Sequence, residues 1–288
     1  MKIALIIFLV TALIALLAYY VYKESIGFHV VEYKIKDSKI KKNLKIVFLS
    51  DLHNNQHGKE NYKLFDEIDA ISPDYIMFGG DMITAYMEKW ADYSDTIKFI
   101  AKLKNRYPVI YGMGNHEERL RREPEKFPYK AYEELSNTLE KIGTPILVNE
   151  KVKLSEYGID VYGLDLDHAY YRKVKTRHVP DGYLLNTLGK VDEDKFNILI
   201  AHNPEHFPDY ASWGADLVLS GHVHGGIIRL PFVGGVISPA MKLFPKYDGG
   251  LFDEFGSKMI LSRGIGTHTI PIRVNNKAEV VVIELSGE

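Results

Sequence analysis

Five short polar blocks, each placed directly after an apolar run, constrain this 288-residue chain more than any other feature. The apolar runs are rich in β-branched and aromatic residues, which predicts buried strands. Layered α/β folds bind their ligands at the carboxyl ends of the strands, so the polar blocks are expected to meet at one such edge. In chain order the blocks are Asp51-Leu52-His53, Gly79-Gly80-Asp81, Gly114-Asn115-His116-Glu117, His202-Asn203 and Gly221-His222-Val223-His224.

The side chains in these blocks favour metal binding. Two aspartates, five histidines and Asn115 supply the oxygen and nitrogen donors that suit divalent Zn, Mn and Fe. This number of donors is sufficient for two cations. A single histidine at a strand end is more often an ordinary hydrogen-bonding residue, so the prediction depends on the recurrence of five blocks.

The order D-x-H, G-D, G-N-H-E, H and G-H-x-H resembles the signature of the calcineurin-like metallophosphoesterases, and the match is complete from Asp51 to His224. Downstream, Gly225-Gly226, Arg229-Leu230-Pro231 and residues 262–266 resemble the branch of that family that carries an N-terminal membrane segment or export signal. The resemblance implies phosphoester hydrolysis with two divalent metal ions, Mn, Fe or Zn. It also implies an α/β fold of four layers, α/β/β/α, which the alternation of helical and strand patterns fits.

Carried over residue by residue, the resemblance assigns a role to each block. It implies two sets of metal ligands, which are Asp51, His53 and His224 for one ion and Asn115, His202 and His222 for the other. Asp81 would bridge both ions, which can share and acidify a hydroxide for attack on phosphorus. His116 would be the general acid that protonates the leaving oxygen, a task that suits an imidazole.

Three further residues are candidates for binding substrate. They are Asn54, Arg119 and Arg229. Asn54 follows a metal-ligand block, but asparagine after a strand is also an ordinary turn residue. Basic residues at 119–122 and 172–178, with Tyr170 and Tyr171 beside them, are candidates for the rim of the site, although solvated loops are the commoner explanation. His268, in a glycine-rich loop, is a second candidate for the acid.

Several other functions are excluded or disfavoured. The chain has no cysteine, which excludes thiol nucleophiles, disulfides and zinc ribbons, and it has no Gly-x-Ser-x-Gly elbow. Two alternatives stay open: a nuclease of the same superfamily, and a non-catalytic membrane-bound metal-binding module. Nucleic acid is disfavoured as a partner because residues 46–288 are acidic overall, and the complete ligand set argues against a non-catalytic module.

Residues 3–22 form an uncharged, mostly apolar run with the length of a transmembrane helix, and three tyrosines near its end suit a lipid interface. A cleaved signal peptide is the alternative, but the run exceeds a usual signal-peptide core and Leu16 and Ala18 make a poor cleavage site. We therefore predict a single-pass anchor over residues 1–22, a basic stalk and first strand over 23–43, and a catalytic domain over 44–288.

The sequence leaves the side of the membrane and the substrate open. Lysines are concentrated between Lys23 and Lys45, after the apolar run, which favours a cytoplasmic catalytic domain. The branch, however, includes exported enzymes. An anchor favours a lipid-linked phosphodiester or pyrophosphate, because tethering concentrates an enzyme at the interface that holds its substrate. Hydrolysis of a nucleotide-lipid pyrophosphate is one specific case within the family.

Overall fold

The computed structural model of the chain describes residues 2–85, 93–127, 130–171, 178–238, 242–267 and 271–287. Its α-helices are α1 (Lys2–Ile26), α2 (Tyr62–Ile71), α3 (Ser94–Lys104), α4 (Asn115–Arg122), α5 (Ala131–Lys141), α6 (Tyr183–Leu188) and α7 (Phe207–Trp213). Its strands are β1 (Phe28–Lys36), β2 (Leu44–Leu49), β3 (Tyr75–Phe78), β4 (Val109–Gly112), β5 (Ile146–Leu147), β6 (Glu150–Leu154), β7 (Ile159–Gly163), β8 (Phe196–Ile200), β9 (Leu217–Ser220), β10 (Arg229–Leu230), β11 (Gly234–Gly235), β12 (Gly250–Glu254), β13 (Ser257–Leu261) and β14 (Ala278–Ser286).

These strands form two large sheets and one small hairpin. The first sheet has the order β1-β14-β2-β3-β4-β5, in which every neighbouring pair is parallel except β14 with β2. The second has the order β12-β13-β9-β8-β7-β6, with parallel pairing from β13 to β7 and an antiparallel strand at each edge. Strands β10 and β11 pair separately with each other.

Alternate residues of the strands enter different cores, and this alternation creates the layers. In β2, Phe48 points between the two sheets, where it shares a core with Ile198 of β8. Its neighbour Val47 points to the opposite face and packs in a core with helices α2 and α3. A third core lies between the second sheet and α6 and α7, and includes Leu199 and Phe207. The predicted α/β/β/α sandwich is therefore confirmed.

The five predicted apolar runs correspond to β2, β3, β4, β8 and β9, and the polar blocks follow their carboxyl ends. Hydrogen bonds connect the ends of neighbouring strands within each sheet, and His222 N links the two sheets by donating to Asp51 Oδ1 over 3.0 Å. Asp51 N donates to Gly80 O over 3.0 Å, and Gly221 N donates to His202 O over 3.1 Å. The loops from both sheets consequently converge on one rim of the sandwich.

Helix α1 is long and apolar enough to cross a membrane, and its residues 2–20 are exposed. It extends four residues beyond the predicted span, to Ile26. Within the region predicted as basic stalk and first strand, residues 28–36 form β1, which lies beside β14 at the edge of the first sheet. Lysines from this region pair with acidic residues of the sandwich, for example Lys39 with Asp216 over 2.6 Å.

Candidate metal centre

The backbone turns sharply at the rim. Non-glycine residues rarely adopt a left-handed conformation, and the strain that it costs is concentrated at functional sites. Six residues in or beside the polar blocks have φ between 50° and 74°, and they are Asp51, His53, Asn54, Asp81, His222 and His224. These turns follow the strands closely and bring donor atoms from distant parts of the chain together.

Asp51, His53 and His224 form a first cluster of donors, and all three residues are buried. His224 Nε2 lies 3.3 Å from Asp51 Oδ1 and 3.1 Å from His53 Nε2. His53 Nε2 lies 3.8 Å from the same carboxylate oxygen. Three ligand atoms that point at a common small volume match the set implied for one metal ion.

Asp81 lies between this cluster and a second one. Its Oδ2 is 3.8 Å from His53 Nε2 and 3.1 Å from His202 Nε2, and it groups with His202 and His222 as candidate ligands. Asp81 therefore belongs to groupings on both sides, which is the position that a bridging carboxylate requires.

Two buried atoms test whether the residues present fit a cation. His202 Nδ1 lies 2.7 Å from the carbonyl oxygen of Gly79, which can only accept, so the lone pair of a neutral His202 is on Nε2. Among the described residues, neither His202 Nε2 nor Asn115 Oδ1 makes a hydrogen bond of normal geometry. A lone pair 3.1 Å from a carboxylate oxygen needs a proton or a metal ion between them. The donor set therefore fits divalent cations.

The pKa shifts of the buried groups also indicate that positive charge stabilises this cluster. Burial opposes ionisation of Asp51, but the imidazoles of His224 and His202 outweigh it and lower its pKa. Burial also disfavours the charged form of His202, but the carboxylates of Asp81 and Asp51 raise its pKa to about 10. Burial and neighbouring His202 lower the pKa of His222 to about 3. The two carboxylates thus favour positive charge next to His202.

His116 lies in the same cluster but differs from the proposed ligands. Its backbone N donates to Asp81 Oδ1 over 2.8 Å, and its ring Nδ1 accepts from Ala85 N over 2.9 Å. Since Nδ1 is an acceptor, the hydrogen of the neutral ring is on Nε2, 4.0 Å from Asp81 Oδ2. His116 therefore presents a donor to the centre, whereas a metal ligand must present a lone pair.

Comparison with known proteins agrees with this geometry. Residues 44–226 match the sequence profile of the calcineurin-like phosphoesterases. The chain belongs to this family. It is 32% identical over 257 residues to an uncharacterised metallophosphoesterase of Campylobacter jejuni, a match that covers 86% of this chain and 61% of that protein. It is 26% identical over 253 residues to the phosphodiesterase YaeI of Escherichia coli, with 84% and 82% of the two chains covered.

Solved structures show a weaker likeness. Protein TT1561 of Thermus thermophilus aligns with 76% of this chain and 88% of its own, at 12% identity and a TM-score of 0.43. The chain spans less than two thirds of the length of the Campylobacter relative and of two similar Helicobacter pylori metallophosphoesterases.

Glu117 supports the candidate centre, a role that the sequence did not predict. Its buried carboxylate accepts hydrogen bonds from the backbone N of Asp81 and Met82, at 2.9 and 3.0 Å, and from Tyr111 Oη at 2.7 Å. Burial and the nearby Asp81 raise the pKa of Glu117 to about 7. The residue fixes the loop that carries the candidate bridging ligand. Its place at the end of the G-N-H-E block was the only signal for this role.

A second support for the metallophosphoesterase centre comes from far along the chain. Gly266 N donates to Asp51 O over 2.8 Å, and Ile265 N donates to Ser50 O over 2.9 Å. The buried guanidinium of Arg273 holds this loop through hydrogen bonds to four carbonyl oxygens, which belong to Arg263, Gly264, Gly266 and Asn276. The predicted family resemblance of residues 262–266 thus corresponds to a loop that positions Asp51.

The candidate substrate residues occupy different environments. Asn54 accepts a hydrogen bond from Thr96 Oγ1 over 3.0 Å, next to His53. Arg119 lies one helical turn beyond His116 on α4. The guanidinium of Arg229 contacts Gly225 O and Asp248, so its visible role is to brace the loop after His224. Substrate contact by these three residues stays a prediction.

Tyr171 lies beside one of the candidate ligands. Its ring centroid lies 5.2 Å from that of His222, with the two rings edge to face. The basic residues at 172–177 and His268 lie outside the described residues. In the basic cluster at 119–122, Arg121 pairs with Asp165. Arg122 pairs with Glu118, Asp165 and Asp167.

Proposed function

We propose that this metallophosphoesterase is a membrane-anchored hydrolase of phosphodiesters or pyrophosphates that requires two divalent metal ions. The carboxylate of Asp81 is the observation that supports it best. It lies between two groups of imidazoles, and its distances of 3.1 and 3.8 Å to His202 and His53 leave room for a cation on each side. The anchor would be residues 1–22 and the catalytic domain residues 44–288.

The proposed ligand sets follow the two clusters. One ion would be held by Asp51, His53 and His224, the other by Asn115, His202 and His222, with Asp81 shared between them. When bound, two cations of Mn, Fe or Zn would acidify the attacking water and neutralise charge on the phosphoryl oxygens. Contacts around the proposed ligands hold them in place before the substrate arrives. Gly79 O orients His202, and Glu117 holds the backbone of Asp81.

His116 is the proposed general acid. Its Nε2 carries a hydrogen and faces the cluster, so it can protonate the oxygen that departs when the phosphorus–oxygen bond breaks. The hydrogen bond from Ala85 N keeps the ring in this orientation. Tyr171 would exclude water from the side of His202 and His222.

Two observations support a diester or pyrophosphate linked to lipid. A relative of this chain carries the name phosphodiesterase. Helix α1 is apolar over its predicted span and exposed over residues 2–20, and a helix of this kind would hold the enzyme at a lipid interface. The side of the membrane on which the centre lies stays open.

An assay of the full-length chain in detergent tests the proposal. Protein stripped of metal should be inactive on bis-p-nitrophenyl phosphate, and Mn²⁺, Fe²⁺ or Zn²⁺ should restore hydrolysis. The same preparation is then given a panel of phospholipids and single-stranded DNA. Full activity of rigorously metal-free protein would overturn the metal requirement. Hydrolysis of DNA alone would identify a nuclease, and inactivity on every substrate with metals bound would identify a non-catalytic module.

A further inference from the structure

An apolar hairpin protrudes from the rim shortly after the last metal-ligand block. It consists of β10, the turn at residues 231–233, and β11. Phe232 at its tip is completely exposed, and its neighbours Leu230 and Val233 are also exposed. No charged residue occurs from Leu230 to Met241. Exposed clusters of large apolar side chains on a folded protein mark surfaces that contact a partner or a membrane.

A second pair of exposed apolar residues extends this surface. Phe244 N donates to Val236 O over 2.9 Å, and Leu243 bridges to Ile237. Leu243 and Phe244 are both more than half exposed. Residues 243–244 therefore add two exposed apolar side chains next to the hairpin, and the intervening Lys242 pairs with Glu205.

Two hydrogen bonds fix the orientation of the neighbouring chain against α1. Ser25 Oγ accepts from Arg273 N over 2.9 Å, and Tyr20 Oη donates to Asn275 Oδ1 over 2.5 Å. Moving from Ser25 to Tyr20 covers about 7.5 Å along a helix, and two residues of extended chain cover about 6.6 Å. Residues 273–275 therefore run beside α1 toward its apolar N-terminal part.

The hairpin continues in the same direction. Ile228 forms a parallel bridge with Val274, and Arg229 N donates to Val274 O over 3.0 Å. Because the pairing is parallel, β10 also runs toward the apolar part of α1. Asn275 contacts both Tyr20 and Arg229 O, so Arg229 lies near the level of Tyr20 and the tip follows three residues later.

We propose that the apolar hairpin is a second membrane contact, which inserts Phe232 and Val233 into the boundary between headgroups and acyl chains beside α1. This proposal rests on the membrane location of α1 in the proposed function. The occupant is a lipid bilayer because the hairpin extends past tyrosines that suit the lipid interface and points along an apolar helix. Amphipathic surfaces of this kind bury their apolar side chains about 5–10 Å below the headgroups.

An apolar groove supports the same orientation. It lies between α1 and the sandwich, has a volume of about 740 Å³, and is lined by Leu17 and Val21 on one side and Ile272 on the other. Its polar end is formed by Asn55 and Thr267, which are hydrogen bonded to each other. Since Asn55 also donates to His53 O over 3.2 Å, the groove extends from α1 to the loop beside the centre.

The inference narrows the substrate class. The hairpin is attached to the loop of His224, because Arg229 Nη1 donates to Gly225 O over 3.0 Å and Asn276 Nδ2 donates to His224 O over 2.7 Å. A hairpin in the bilayer thus holds this edge of the centre at the membrane surface. A phosphoester that keeps its apolar part in the leaflet would reach it there.

The absence of native cysteine allows a direct test with single-cysteine variants. Phe232→Cys in the full-length chain is labelled with a polarity-sensitive nitrobenzoxadiazole dye and reconstituted into phosphatidylcholine vesicles that contain lipid with a nitroxide on the acyl chain. Phe255→Cys is the matched control. Phe255 is also an exposed turn residue with positive φ, but it precedes β13, whose opposite end lies at the rim.

We expect the dye at position 232 to shift to the blue and to lose most of its fluorescence to the acyl-chain nitroxide, while the dye at position 255 keeps its fluorescence. Circular dichroism of both variants checks folding. Equal quenching at the two positions, or no quenching at 232 in protein that sediments with the vesicles, would overturn the inference. Failure of the chain to associate with vesicles would also overturn it. The measurement involves no catalysis, so inactivity of the enzyme would refute the proposed function without affecting this result.

Discussion

At the scale of single residues, the partner of one ring nitrogen determines what the other nitrogen of a histidine can do. Gly79 O accepts from His202 and leaves its Nε2 as a candidate ligand, whereas Ala85 N donates to His116 and leaves its Nε2 as a donor. Both histidines follow strands and both face Asp81. Their different roles in the proposed mechanism therefore depend on backbone groups outside their own blocks.

The first prediction concerns the carboxylate between the clusters. Asp81→Asn should lower metal content and the rate on bis-p-nitrophenyl phosphate more than His53→Asn, because Asp81 alone is proposed to contact both ions. Loss of an outer contact to a metal ligand typically costs about 10–100-fold, so the bridging substitution should exceed that range. Elemental analysis and initial rates on the same samples measure both effects. Thr84→Val, which removes the hydroxyl 3.1 Å from His53 Nδ1, is the control and should fall within the range.

An Asp81→Asn protein that still holds two metal ions and turns over at a near-normal rate would remove the bridging role. If His53→Asn lost more metal and more activity than Asp81→Asn, the first cluster would contribute more to metal binding than Asp81 does.

The second prediction isolates the role of His116. His116→Gln should lower the rate on an alkyl phosphodiester far more than on a p-nitrophenyl ester, by a factor of about 10² to 10⁴, because p-nitrophenolate departs without protonation and an alkoxide does not. Metal content should be largely retained, since Nε2 presents a hydrogen and no lone pair. Equal losses on both substrates would mean that His116 orients the phosphate by hydrogen bonding and transfers no proton.

The donor residues could be predicted from the sequence because each one follows an apolar run at a recognisable distance. The contacts that position them could not. Glu117 accepts from the backbone of residues about 35 positions away, and the loop held by Arg273 supports Asp51 from more than 200 positions away. Local periodicity contains no information on such pairs, because they depend on how the strands associate in the folded sheet.

At the scale of the elements, the apolar runs predicted the strands at the rim, while the edge of the first sheet was not foreseen. Strand β14 inserts between β1 and β2, parallel to one and antiparallel to the other. Its Val280 and Val281 enter different cores, so its sequence is apolar on both faces. A run of this kind indicates a buried strand but does not show which strands lie beside it.

The third prediction tests the loop that supports Asp51. Arg273→Lys keeps the charge, but one ammonium group cannot reach all four carbonyl oxygens that the guanidinium contacts. We expect the free energy of unfolding to fall by about 1–3 kcal/mol, because carbonyl groups are left unpaired in a buried place. The thermal midpoint in detergent measures the loss, and metal affinity should fall with it because Gly266 no longer fixes Asp51.

Arg106→Lys provides the matched control for this substitution. Arg106 is mostly exposed and pairs with Asp69 on the surface, where an ion pair contributes about 0–1 kcal/mol. Its replacement should leave the thermal midpoint and metal affinity nearly unchanged. If Arg273→Lys behaved in the same way, the loop would not need the guanidinium and another contact would have to hold Asp51.

At the scale of the whole molecule, the basic stretch after α1 is part of the sandwich. The sequence predicted a basic stalk and a first strand over residues 23–43; in the structure β1 lies in the first sheet, and Lys39 and Lys42 pair with Asp216 and Glu156. Only Gly27 separates α1 from β1, and its N continues the helical pattern by donating to Lys23 O over 3.2 Å. A short connection limits how far the centre can lie from the membrane that α1 is proposed to cross.

The last prediction follows from this arrangement. A variant that lacks residues 1–22 should be soluble and should keep most of its rate on bis-p-nitrophenyl phosphate, because the candidate ligands follow strands that begin at Leu44 and the lost helix is largely exposed. It should act more slowly on a phosphodiester embedded in vesicles, because tethering no longer raises its concentration at the surface. Sedimentation with vesicles and paired rate measurements test both expectations.

A variant in which residues 3–18 are replaced by an unrelated apolar helix should recover the rate on vesicles, since it restores the anchor and keeps the contact of Tyr20 with Asn275. Recovery of the intact full-length chain in the soluble fraction would refute the anchor, and equal rates of the shortened and full-length proteins on vesicles would refute its role in reaching the substrate.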